Sequence, residues 1–91
     1  MPKYELETST KFEKQYKKLS QEDKKNTNQF LAKLLNDEPL EPKHRDHALK
    51  GIYKDFRECH IKPDLLLVYK KEKETLLLLC IRIGSHSEIF K

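Results

Sequence analysis

The sequence predicts an α+β fold in the order βααβββ, an antiparallel sheet with an N-terminal helical hairpin packed on one face. Three observations carry that prediction. Apolar residues recur at helical spacing from Phe12 to Leu35. Continuous apolar runs, LLLVY and LLLLCI, follow at 65–69 and 76–81. The changes of pattern coincide with Ser, Pro or Gly. Ninety-one residues suffice for one modest core, so 1–91 is expected to form one domain.

Tyr4, Leu6 and Thr8 alternate with charged residues as a short first strand. Thr10 followed by Glu13 fits a capping box, and Phe12, Tyr16 and Leu19 continue at helical spacing. Ser20 with Asp23 suggests a second cap. The helix behind it presents Phe30, Leu31, Leu34 and Leu35 on one face, until Pro39 and Pro42 end it. A polar loop at 38–50 closes at Gly51. Residues 52–61 then read as a strand with mixed faces, stopped by Pro63. The run at 65–69 is apolar on both faces, as a central strand requires. KKEKE at 70–74 joins it to a last strand at 75–83, with Gly84 and the tail SHSEIFK after it.

Lys and Arg number 19 against 15 Asp and Glu, giving a formal charge of +4 and a pI near 9.0. The excess favours RNA, DNA or an acidic protein as partner. It is spread evenly, eleven basic and nine acidic residues in 1–50 against eight and six in 51–91, so any cationic surface must be assembled by folding. The opening MPKYELETS holds no apolar stretch, and no apolar run is long enough to span a membrane. Cys59 and Cys80 form no CxxC pair and read as small buried strand residues, so a cytoplasmic setting is expected.

Three histidines stand among charged residues: His47 in RDHALKG, His60 in FRECHIKPD and His86 in RIGSHSEIF. A metal site is not expected, because His44, His47, Cys59 and His60 lack the tight paired spacing of a structural zinc centre. His44 reads as an exposed loop residue. Cys59 and His60 are strand neighbours that point to opposite faces, which argues against a nucleophile–base pair.

Metal-free cleavage of RNA suits the set better. The 2′-hydroxyl must lose a proton, the 5′-oxygen must gain one, and charge on the phosphoryl oxygens must be neutralised. Histidines serve the first two needs, and Arg82 or Lys62 the third. Strand alternation places Leu76, Leu78, Cys80 and Arg82 on one face, with His86 two steps further if the tail stays extended. Lys54, Phe56, Glu58 and His60 share a face of the preceding strand. That row suits a site, and equally a solvated face whose charges pair. Lys54, Arg57, Glu58 and Lys62 are candidate substrate contacts. His47 sits in a loop where a polar residue needs no special reason, and Phe90 could plug the core or stack on a base.

RDHALKG, FRECHIKPD, LLLVY and RIGSHSEIF, in this order behind two helices, resemble the YafQ branch of the RelE-like toxins. These are small bacterial proteins of type II toxin–antitoxin systems with a microbial-RNase-like fold. The resemblance implies a ribosome-dependent endoribonuclease that cuts translated messenger RNA without a metal or other cofactor. It places functional positions on His47, His60, Asp64, His86 and Phe90, with Arg82 as phosphate ligand. His86 would be the proton donor, and Asp64 or His60 the base. It further implies ribosomal RNA as a contact and an acidic, partly disordered antitoxin as cognate partner. The chain departs from the branch at Leu65, which follows the aspartate where tryptophan is expected, and leucine cannot stack on a base as an indole does. A binding module of the same fold, docking on RNA or ribosomes without cutting and neutralised by an antitoxin, is the alternative reading.

Overall fold

The computed structural model describes residues 3–90. Strand β1 (Glu5–Thr8) leads into helices α1 (Thr10–Lys17) and α2 (Gln21–Leu35). A 3-10 turn at Pro42–His44 precedes the two-residue strand β2 (His47–Ala48), and a second at Gly51–Tyr53 precedes β3 (Arg57–Lys62). Then come β4 (Leu65–Glu72), β5 (Leu77–Gly84) and a last short helix, α3 (His86–Ile89). The sheet order is β1-β5-β4-β3-β2.

The helical hairpin forms where the sequence predicts it. Ser20 caps α2 as expected. The cap of α1 is Ser9, one residue before Thr10; its hydroxyl oxygen accepts from the Phe12 amide while the O–H donates to the Ile81 carbonyl at 2.7 Å. Helix α2 stops at Leu35, ahead of both prolines. Asp37 takes a left-handed φ of 57°, and the amides of Asp37 and Glu38 turn back onto the carbonyls of Leu34 and Lys33. That pair of hydrogen bonds closes the helix end before Pro39 is reached.

The sheet is not wholly antiparallel. β1 pairs with β5 in parallel, Leu6 opposite Leu78. Alternation along a strand says which residues share a face and nothing about the direction of its neighbour, so the sequence could not show this. Two further expectations are corrected. The strand expected at 52–61 is β3 and starts at Arg57, because residues 51–53 form the 3-10 turn. The tail does not stay extended, since Ser85 and Glu88 form a reciprocal capping box that opens α3.

Two apolar clusters lie on the two faces of the sheet. On the helical side, Phe12, Phe30, Leu31 and Leu34 pack on Cys59, Leu65, Leu67, Tyr69, Leu78, Cys80 and Ile83. On the other side, Leu66, Val68 and Ile89 form a smaller cluster with Leu49, Tyr53, Phe56, Ile81 and Phe90. Burial raises both thiols, Cys80 to about 12, with Cys59 higher still. Iodoacetamide at pH 8 should therefore leave both cysteines of the folded protein unmodified while the urea-unfolded chain reacts fully. Rapid alkylation of the folded protein, read by mass spectrometry, would contradict the closed core.

A bulge fixes which residues reach the second face. Cys80 pairs with Tyr69 and Arg82 with Val68, leaving Ile81 as an extra residue. Arg82 therefore sits on the face of Val68, opposite Leu78 and Cys80, and the predicted row of Leu76, Leu78 and Cys80 with Arg82 is broken. An apolar run with no polar alternation carries no phase, so nothing in 76–81 marks the slip.

Candidate active site

The face away from α1 and α2 collects the chemistry. Register carries one row straight across four strands: His47 pairs with Glu58, Glu58 with Val68, and Val68 with Arg82. A second row, His60–Leu66–Gly84, runs beside it and leads through Gly84 to His86. With strands about 4.8 Å apart, Glu58 and Arg82 stand on the order of 10 Å from each other. Leu66 and Val68, covered by Ile89, form the apolar platform between them.

Glu58 is 5 % exposed, a carboxylate held almost out of water. The same oxygen, Oε1, lies 3.6 Å from His47 Nε2 and 3.6 Å from His60 Nε2. A buried carboxylate needs such partners, because an unpaired charge there is costly. His47 Nδ1 lies 2.7 Å from the carbonyl oxygen of Arg45, an acceptor only, so Nδ1 carries a proton. Its Nε2 faces the carboxylate. The Arg45 carbonyl thus fixes one end of the His47 ring, and the other end lies beside Glu58.

Across the platform, Arg82 is fixed by three acceptors: Nε donates to Gln15 Oε1 at 3.1 Å, Nη1 to the Tyr53 hydroxyl at 3.0 Å, and Nη2 to the Glu88 carbonyl at 2.9 Å. A guanidinium has five N–H donors, so two remain for an anion. His86 opens α3, exposed to solvent, its ring 5.0 Å from that of Phe90. Phe90 in turn meets Tyr53 edge-on at 5.9 Å. The capping box that aims this helix also holds the Glu88 carboxyl below its ordinary range, through the Ser85 amide and hydroxyl.

The structure thus brings together His47, Glu58, His60, Arg82, His86 and Phe90. It leaves the other candidates apart. Asp64 occupies the Pro63–Asp64 turn between β3 and β4, exposed, and among the described residues forms no ion pair with either His60 or His86. Lys62 reaches the helical side, where its ammonium pairs with Asp23 of α2 at 2.7 Å and is raised by it. Arg57 also faces that side, forked onto Asp46 at 3.1–3.2 Å. Lys54 follows the 3-10 turn and lies outside β3, exposed, while Phe56 packs into the second cluster. Leu65 is 3 % exposed in the helical-side core. Its side chain faces away from the histidines, so its replacing tryptophan here bears on packing and not on base stacking.

Sequence reasoning missed Gln15, Tyr53 and α3. The signal for α3 was present, since Ser85-His86-Ser87-Glu88 reads S-x-x-E. It also took His44 for an exposed residue; the ring is buried, 8 % exposed, and edge-on to Phe30 at 4.7 Å. A cleft of about 190 Å³ lined by Lys43, Arg45, His60 and Pro63 opens beside His60. A larger hollow of about 500 Å³ lies away from this site, between the end of α2 and Tyr69. Among the described residues, no three His, Cys, Asp or Glu side chains form a metal-binding group, the His47–Glu58–His60 contact included. No described helix is long and apolar enough to cross a membrane.

A small α+β fold with three imidazoles, a buried carboxylate and a held arginine on one sheet face defines the class. The chain belongs to the YafQ family, whose model, "Bacterial toxin of type II toxin-antitoxin system, YafQ", matches residues 4–91. The mRNA interferase toxin YafQ of Escherichia coli K12 is 36 % identical over 90 residues, 94 % of this chain and 95 % of that protein. A crystal structure of a metal-bound toxin from Helicobacter pylori is 49 % identical, with a TM-score of 0.85 over 96 % of this chain and 99 % of that one. YafQ in the crystal structure of the E. coli DinJ–YafQ toxin–antitoxin complex is 30 % identical, with a TM-score of 0.82 over 98 % and 99 %.

Proposed function

We propose that this chain is the toxin of a type II toxin–antitoxin system, an endoribonuclease that cleaves translated messenger RNA on the ribosome by acid–base catalysis of its own side chains. The observation that carries the reading is the row His47–Glu58–Val68–Arg82, flanked by His60 and His86. It sets proton-transferring groups on both sides of a platform beside a guanidinium with donors to spare. A 2′-hydroxyl gives its proton to a base and attacks the adjacent phosphorus. The bond to the 5′-oxygen breaks, and that oxygen takes a proton from the acid. A 2′,3′-cyclic phosphate and a 5′-hydroxyl result.

His86 is the acid in this scheme, exposed at the rim where a leaving oxygen can reach it. His60, held against Glu58, is better placed as base than Asp64, which stands apart in its turn. Arg82 offers its two free N–H groups to the phosphoryl oxygens, and Phe90 beside His86 supports the nucleotide. The family supports an antitoxin as partner, as in the complex of E. coli YafQ with DinJ. An acidic, partly disordered antitoxin segment suits the net charge of +4, which equally suits messenger and ribosomal RNA.

Brief induction without antitoxin should produce new message 5′-hydroxyl ends inside translated codons, and mapping those ends is the test. Growth arrest with ribosome binding but no new ends would favour the binding module instead. No arrest and no new ends would remove both readings. Ribosome affinity should fall steeply between 50 and 200 mM salt if phosphates are contacted, by roughly tenfold or more.

A further inference from the structure

We infer that His44 is a positioning residue for the active site, acting through the main chain of His60. The proposal rests on the nuclease reading above but concerns a side chain outside the row that performs the chemistry.

Strand β2 is only two residues long. Its register, His47 opposite Glu58 and Ala48 opposite Arg57, would place Arg45 opposite His60 if the ladder ran on. It does not run on, because Arg45 adopts a left-handed φ of 47° and takes the chain out of the sheet. On its other side β3 is irregular too, with the register against β4 shifting between His60 and Lys62. His60 thus sits where pairing fails on one flank and is distorted on the other. The lost partner is replaced by a side chain: His44 Nδ1 donates to the His60 carbonyl oxygen at 2.7 Å.

The tautomer is set by the partner, since a carbonyl only accepts. The ring is 8 % exposed and wedged edge-on against Phe30 of α2, so the donor is held in place by the helical layer. One residue on, the Arg45 carbonyl holds His47 Nδ1, and between them Asp46 takes Arg57 and the Tyr69 hydroxyl. Residues 44–46 therefore fix β3, β4 and the ring of His47 in one short stretch. His44 fixes the member that carries His60. Displacing a reacting group by about 1 Å can lower a rate by roughly a hundredfold, so a single main-chain anchor suffices to matter.

Two variants separate the hydrogen bond from the packing. His44→Phe keeps an aromatic ring against Phe30 and removes the donor. His44→Asn removes the ring and keeps an N–H near the place of Nδ1. With ribosome-bound message as substrate, His44→Phe should lower kcat by about ten- to a hundredfold with KM within about twofold. His44→Asn should stay within about fivefold of wild type even if its Tm falls. In the free protein, the imidazole resonances of His60 should shift in His44→Phe and stay near wild type in His44→Asn, with those of His86 unmoved in both.

The opposite ranking, Asn impaired and Phe normal, would make His44 a packing residue and overturn the proposal. So would unchanged His60 resonances in a folded His44→Phe. The resonance measurement needs no cleavage, so it decides the matter even if the wild-type chain proves not to cut RNA.

Discussion

Cells expressing His86→Ala in place of the wild-type chain should grow without arrest, and message cleavage should fall by roughly 10²–10⁴-fold, the usual range for losing a general acid. The size of the effect follows from where His86 lies. Its ring is exposed at the first turn of α3, and its neighbour is Phe90 at 5.0 Å. Helix α3 is held by other groups: Ile89 in the second cluster, the Ser85–Glu88 capping box, and the Glu88 carbonyl accepting from Arg82. Truncating His86 thus removes the proposed proton donor and few packing contacts, and stability should change by no more than about 0.5 kcal/mol. Ribosome binding should persist, since a donor to the leaving oxygen adds little to the ground state. A His86→Ala protein that still arrests growth and still generates codon-internal ends would require another acid.

Local pattern accounts for what the sequence revealed. Helix α2, its Ser20 cap, the central β4 and the opposite facings of Cys59 and His60 all follow from period and capping, which act over a few residues. The candidates His47, His60, His86 and Phe90 stand out through their motifs, and the folded chain places them on one side of the sheet. What escaped was non-local. The slip at Ile81 moves Arg82 across the sheet, yet nothing in an unbroken apolar run can register it. His44 read as exposed because its burial comes from Phe30, fourteen positions away, and from β3. Arg57 and Lys62 looked like substrate cations until Asp46 and Asp23 engaged them on the other side. Charge near a motif is a weak guide to the face it occupies.

Glu58 shows the same limit and leads to the second large expected effect. From sequence it was a candidate substrate contact. In the fold it is nearly dry, with one oxygen 3.6 Å from Nε2 of both His47 and His60. A carboxylate so placed acts on the two imidazoles and has little surface left for a nucleotide. In the proposed reaction it would be the third group that orients a base, here shared by two rings. Glu58→Gln keeps the shape and a carbonyl oxygen that can take the place of Oε1, but removes the charge beside the two rings. Turnover should fall by roughly tenfold to a hundredfold with KM within about twofold, because the rings lose the charge between them and the substrate loses no contact. Glu58→Ala should go further, adding a cavity and a stability loss of about 1–3 kcal/mol. The discriminating measurement is single-turnover cleavage against ribosome-bound message across a concentration series. A Glu58→Gln protein with normal turnover and a KM raised tenfold would return Glu58 to the role of substrate contact, and would mean that His47 and His60 are held by something other than the charge between them.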